Sequence, residues 1–144
     1  MTSVQPDLGI VGHEAAKFTN QTEWMARDII REAILSSGAK VVCSGECPLG
    51  GVDIWTREEA LALGREFVPY PPKVNNWEDG FKPRNLQIAA AKKVLCIVVA
   101  QLPATYRGRK FDGCYHCLDR NPPHVKSGGC WTAWRAKERE WRII

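Results

Sequence analysis

Short apolar runs alternate with amphipathic stretches along the chain. Leu8-Gly9-Ile10-Val11 is apolar, too short for a helix, and suits a strand buried on both faces. Met25, Ile29, Ile30, Ala33 and Ile34 recur at helical spacing and predict an amphipathic helix, with Thr22 as its cap and Gly38 as its stop. Lys40 to Cys43 reads as a second strand. Asp53 is placed to cap a second helix, Ile54 to Leu63, which Gly64 would end. Glu66 to Pro69 predicts a third strand, halted by Pro69, Pro71 and Pro72. Asn85 to Lys93 reads as helix, and Val94 to Val99 is the strongest strand. A loop of some 27 residues follows, then a helix from about Cys130 to Glu140. Trp141 to Ile144 is a short final strand or a tail.

Strands and helices in alternation imply an α/β protein: a Rossmann-like three-layer fold with a central, mostly parallel sheet. Residues 1–144 form one domain, with Val94 to Val99 as the central strand, covered on both sides. The loop insertion at about 101–126 carries clustered cysteines. A structureless loop of that length is unusual in a compact domain, so something is expected to organise it.

Composition narrows the class. Hydrophobic residues make up 44% and charged residues 25%, which suits a globular core and excludes extended disorder. The longest apolar run, Val94 to Ala100, is seven residues, against about 20 for a membrane span. Met1 to Asp7 lacks the apolar stretch of a secretory signal, so a cytoplasmic protein with reduced cysteines is expected. The net charge of +4 is uneven: residues 101–144 hold nine Lys/Arg against four Asp/Glu. An anionic ligand would be favoured there, and a solvated basic helix is the competing account.

Ligands of open parallel sheets bind beyond the carboxyl ends of the strands. Gly12-His13 follows the first strand, and Ser44-Gly45-Glu46 through Gly50-Gly51-Val52-Asp53 the second. A proline-rich loop to Lys82-Pro83-Arg84-Asn85 follows the third, and the long loop ending in Lys126-Ser127-Gly128-Gly129 follows the fourth. Three of these loops deliver glycines or hydroxyls to a helix start, where exposed backbone N–H groups favour phosphate. Arg84 adds a bidentate cation. Singly, each glycine pair could be a turn or a hinge, and Arg84 a surface ion pair; their joint placement points to a ligand.

The combination resembles the SLOG superfamily, Rossmann-like proteins that include DprA, the YspA/YpsA proteins and the Lonely Guy phosphoribohydrolases. Cys43-Ser44-Gly45 through Gly51-Val52-Asp53 looks like that superfamily's Ser-Gly-Gly…Gly-Ala-Asp loop. Lys82-Pro83-Arg84-Asn85, then Ile88-Ala89, is similar to its Arg-Asn helix start. Ser127-Gly128-Gly129-Cys130-Trp131-Thr132 is similar to its Gly-Gly-x-x-Thr loop. The resemblance spans nearly the whole chain except about 101–125. It implies binding of a nucleotide or nucleotide-derived ligand at Ser44, Gly45, Gly50, Gly51, Asp53, Arg84, Asn85, Ser127, Gly128, Gly129 and Thr132, and the place of Gly12 and His13 after the first strand adds them to the expected site. It also implies a homodimer. The phosphoribohydrolases carry Pro-Gly-Gly-x-Gly-Thr-x-x-Glu; here Ser127 replaces the proline, Trp131 the later glycine, and Arg135 the catalytic glutamate. A guanidinium cannot act as a base. A nucleotide N-glycosidase is therefore the alternative reading, with Glu46 as its candidate carboxylate. A nucleic-acid-binding module is the second alternative, through Arg107, Arg109, Lys110, Arg120 and Lys126.

Cys114-Tyr115-His116-Cys117 is a Cys-x-x-Cys unit, with His124 and Cys130 close behind. Two thiolates at that spacing share one tetrahedral zinc, and His124 with Cys130 would close the site. Zinc would order the loop, because metal binding supplies folding free energy. His116 could take the place of His124, and Cys130 could serve only the glycine loop. Free thiols, or a redox pair, are the other accounts; a redox pair usually opens a helix after a strand. His13 is either a ligand contact or a local hydrogen-bond partner. Trp24 and Trp55 suit core or partly buried helix positions, while Trp131 and Trp134 could stack on a base or cover an interface.

Overall fold

The computed structural model describes residues 5–144. Nine main elements follow one another: β1 (Leu8–Gly12), α1 (Asn20–Ser37), β2 (Val41–Ser44), α2 (Val52–Ala62), β3 (Glu66–Pro69), α3 (Lys82–Ala89), β4 (Val94–Val98), α4 (Gly128–Trp134) and β5 (Arg139–Ile143). All strand pairs are parallel, in the order β3-β2-β1-β4-β5. The α/β Rossmann-like fold expected from the alternating pattern is the one observed.

The centre of the sheet differs from expectation. β1 occupies it, and β4 lies beside it, because Arg139–Ile143 pairs on the outer edge of β4. β4 is nevertheless buried throughout. Its Leu95 and Ile97 pack with Ile10, Ile30, Ile34 and Trp55 under α1 and α2. Its Val94, Cys96 and Val98 pack with Val11, Ile88, Cys130 and Ala133 under α3 and α4. The period-2 alternation of strand side chains divides one apolar run between two cores. Among the described residues, no helix is long and apolar enough to cross a membrane.

Helix boundaries shift for local reasons. Thr19, not Thr22, caps α1: the Thr19 hydroxyl accepts from the Thr22 amide at 3.1 Å, and the Thr22 hydroxyl accepts from the Thr19 amide at 2.8 Å. This is a capping box closed by threonine where glutamate or glutamine is usual. Gly51 occupies the cap position of α2, so Asp53 falls in the first turn and is not the cap. α3 starts at Lys82, three residues early, with Pro83 in its first turn, where no amide hydrogen is needed. α4 runs only from Gly128 to Trp134, and the chain turns at Arg135–Glu138 to form β5.

Chain direction across the sheet reverses between β1 and β4. The chain steps outward from β1 to β2 and β3, then crosses back to the other side of β1. The carboxyl ends of two neighbouring strands therefore feed loops that part in opposite directions, which opens a crevice there.

Candidate functional site

A crevice of about 240 Å³ lies at this switch point. β1 contributes Val11 and Gly12, then His13 and Glu14 from the turn beyond it; α2 contributes Asp53 and the loop before it Cys47. Trp77 and Phe81 come from the turn preceding α3, Arg84, Asn85 and Ile88 from α3, and Gly128, Gly129 and Thr132 from α4.

Eight residues expected to bind a ligand meet here: Gly12, His13, Asp53, Arg84, Asn85, Gly128, Gly129 and Thr132. Ser44, Gly45, Gly50, Gly51 and Ser127 stand behind the walls. The buried Ser44 hydroxyl donates to the Ile10 carbonyl at 2.6 Å and lies 3.0 Å from the Asp53 carboxylate. Gly45 lets Arg84 and Asp53 close over its Cα, where any Cβ would collide with both. Gly51 has φ +89, and a Cβ there would strike the backbone of His13 and Glu14. Ser127 caps α4, accepting from the Gly129 amide at 3.0 Å. In the β2 loop, Gly45 and Gly51 are thus required by close packing. Glu46 faces Arg57 at 4.0 Å and does not line the crevice.

Sequence reasoning missed Glu14, Cys47, Trp77 and Phe81. Two aromatics in the otherwise polar stretch Asn75-Asn76-Trp77-Glu78-Asp79-Gly80-Phe81 were a usable signal. Trp131 does not enter the crevice but braces Trp77 edge-on, with ring centroids 4.8 Å apart. Trp24 is 65% exposed, so of the two helical tryptophans only Trp55 joins the core.

The crevice has one guanidinium and two carboxylates. Arg84 Nε donates to Asn85 Oδ1 at 2.7 Å and its Nη1 to the Tyr70 carbonyl at 3.3 Å, with Phe81 beneath at 5.5 Å. These contacts hold the guanidinium in place in the crevice wall. Burial pushes the Asp53 carboxyl above its ordinary value, against the opposing influence of Arg84, the Ser44 hydroxyl and the Cys47 amide. His13 is 3% exposed, and neither ring nitrogen has a hydrogen-bond partner. Burial holds its pKa down to about 3, helped by repulsion from Lys17, His124 and Lys126. It is therefore a neutral imidazole, one nitrogen donating and one accepting.

Beside the crevice, Cys114, Cys117, His124 and Cys130 are all buried, and their donor atoms lie within 4.8 Å of one another. A tetrahedron with metal–sulfur bonds of about 2.3 Å has donor–donor edges of about 3.8 Å, so a small contraction would close the set on one ion. His124, not His116, completes it. His124 Nδ1 lies 2.7 Å from the Pro122 carbonyl, which can only accept. The proton therefore sits on Nδ1 and frees Nε2, 3.5 Å from Cys130 Sγ, as a metal donor.

The sulfurs are supported from outside. Trp134 Nε1 and Asn121 Nδ2 each donate to Cys117 Sγ at 3.4 Å, and Trp141 Nε1 donates to Cys130 Sγ at 3.4 Å. Hydrogen bonding with Cys130 holds the Cys114 thiol down to about 4 despite burial, with help from the Ser127, Cys117 and His116 amides. The Cys130 thiol is displaced upward by the same pairing, by Cys96 at 3.9 Å and by burial. The tight turn puts Leu118 in the left-handed region at φ +55, a conformation disfavoured for a residue with a Cβ. This cluster can hold a metal ion.

No family model, curated protein or solved structure matches the chain.

Proposed function

We propose that this is a SLOG-type protein that binds a nucleotide or nucleotide-derived ligand in the β1–β4 crevice. The reading rests on one observation above the others: a buried imidazole with both nitrogens unpartnered lines the same crevice as a preorganised guanidinium. Unsatisfied buried polar groups are rare and costly, and a ligand that pairs with His13 accounts for this one. In this reading Arg84 takes a phosphate bidentately. Trp77 and Phe81 offer ring faces to a base, and Thr132 and Asn85 add polar contacts.

The neighbouring cluster holds zinc in this reading. Three thiolates and one imidazole are a zinc donor set, and four protein ligands leave no open position for water. The ion is therefore structural, and what it supplies is order in the 101–127 segment.

Native mass spectrometry of the purified chain with nucleoside mono-, di- and triphosphates tests both parts. The expected result is one zinc per chain and an intact nucleotide adduct that Arg84→Met loses. Absence of any adduct across the panel would refute the ligand reading, and a metal-free chain purified under reducing conditions would refute the zinc. The hydrolytic reading is favoured by a different observation, that Glu14 and Asp53 are carboxylates within the crevice. Free base released from a nucleotide would establish it.

A further inference from the structure

We propose that the metal centre is the latch of the ligand crevice: metal in the Cys114/Cys117/His124/Cys130 site fixes the α4 wall, so metal and nucleotide strengthen each other's binding. The nucleotide half of this statement rests on the ligand reading above.

The argument starts from the weakness of α4. It has seven residues, and its first two are Gly128 and Gly129. A helix this short is not stable alone, and glycine's conformational freedom adds nothing to hold its first turn in place. Its geometry must be imposed from outside. Yet its first turn is where accuracy matters, because Gly128, Gly129 and Thr132 line the crevice. The turn also seats closely on β1. A Cβ on Gly129 would lie 2.9 Å from the Gly12 amide nitrogen, so these two backbones pack with no room for a side chain.

Cys130, the third residue of α4, supplies one of the four metal donors. It stands between Gly129 and Thr132 in sequence, and its sulfur points away from the crevice into the buried cluster. The other three donors come from the long segment between β4 and α4, which has no helix or strand of its own. Closing the four donors on one ion ties that segment to the first turn of α4. Without the ion, the cluster keeps its own weak contacts, Cys130 with Cys114 and with His124 Nε2, and the outer support of the Trp141, Trp134 and Asn121 donors and the Cys96 thiol. α1 has no such dependence, since its eighteen residues bury Ala26, Ile29, Ile30 and Ile34 in the opposite core. The coupling is therefore local to one wall, and by linkage it is reciprocal.

Hydrogen exchange on the full chain tests the latch without any nucleotide. The zinc-loaded protein is compared with protein stripped by phenanthroline under reducing conditions. Exchange at 128–134 should accelerate at least tenfold on stripping, while 26–34 in α1 keeps its protection. Unchanged exchange at 128–134 would overturn the latch. So would loss of protection in α1 as well, because the metal would then hold the whole fold and not one wall.

Calorimetric titration with adenosine 5′-monophosphate adds the ligand arm. Stripping should weaken affinity about 10- to 100-fold, zinc should restore it, and the nucleotide should raise zinc affinity by the same factor. His124→Ala should behave like stripped protein, whereas His124→Cys, which keeps four donors, should bind like the parent. Equal affinity with and without zinc would overturn the coupling. Failure of the zinc-loaded chain to bind the monophosphate would count against that half of the proposal, and the exchange result still decides the latch.

Discussion

Replacing His13 by phenylalanine should make the protein more stable and less able to bind. The imidazole is almost fully buried with both nitrogens unpartnered. Each unsatisfied polar atom costs about 1–3 kcal/mol of desolvation. A phenyl ring removes that cost and keeps a similar planar outline. It also extends an existing aromatic contact, since the His13 ring meets Phe18 edge-on at 5.8 Å and Phe18 meets Trp55 at 4.8 Å. Some of the gain is offset by fitting a slightly larger ring. A net stabilisation of about 1–2 kcal/mol remains, which is roughly 2–8 °C in Tm for a chain of this length. The assay is thermal unfolding of the zinc-loaded protein at pH 7.5, followed by titration with adenosine 5′-monophosphate, where affinity should fall at least tenfold.

The same variant carries a pH signature. The His13 pKa lies at about 3 in the folded chain, against an ordinary value of 6.5. Below pH 6.5 the unfolded chain takes up a proton that the folded chain refuses, so stability falls as pH drops from 6.5 toward 3. The slope for one such group reaches about 1.4 kcal/mol per pH unit. Lys17, His124 and Lys126 face the ring and add to the effect. His13→Phe should lose this component, while acid release of metal remains common to both proteins. A lower Tm at pH 7.5, a pH profile unchanged by the substitution, or an intact nucleotide affinity would each refute the reasoning.

Other substitutions probe separate parts of the structure. Arg84→Lys removes the fork but keeps the charge; nucleotide affinity should fall about 10-fold or more, with Tm nearly unchanged, in calorimetry and thermal unfolding. Gly51→Ala should destabilise by about 3 kcal/mol in urea titration, because φ +89 is strained for alanine and the added Cβ meets the His13 backbone. Glu59 takes hydrogen bonds from Arg27 at 2.8 Å and Arg31 at 2.9 Å. Burial alone would raise its carboxyl, but the two arginines hold it below the ordinary 4.5. Its stabilisation is therefore full above pH 4.5 and disappears as pH falls through the lowered value. Glu59→Gln should cost about 1–2 kcal/mol at pH 7 and nothing at low pH, as read by denaturant midpoints across pH.

How much of this was legible in the sequence depended on the range of the interaction concerned. The Cys114/Cys117/His124/Cys130 cluster was readable because these side chains lie within 17 residues of chain and zinc chemistry restricts the spacing of such donors. The sequence favoured His124 with His116 as the alternative, and the fold supplies the reason for His124: its Nδ1 is held by the Pro122 carbonyl and its Nε2 faces Cys130 Sγ. The strands were legible because burial on two faces leaves few alternatives to β-branched and apolar residues. β5 was less so: as an edge strand with the pattern Arg139-Glu140-Trp141-Arg142-Ile143, it offers its neighbour mostly backbone, and its polar residues extend the apparent helix before it. The glycine loops mark the harder case. A glycine needed for ligand access and one needed for close packing look identical in sequence. Gly12 and Gly129 line the crevice, whereas Gly45 and Gly51 make room for Arg84, Asp53 and the His13 turn. Both uses serve the same site, one by touching its interior and the other by allowing its charged and aromatic walls to close. The residues that then give the crevice its chemistry, Glu14 and Trp77 among them, arrive from chain segments about 60 residues apart. No local pattern announces that meeting; the switch point between β1 and β4 creates it.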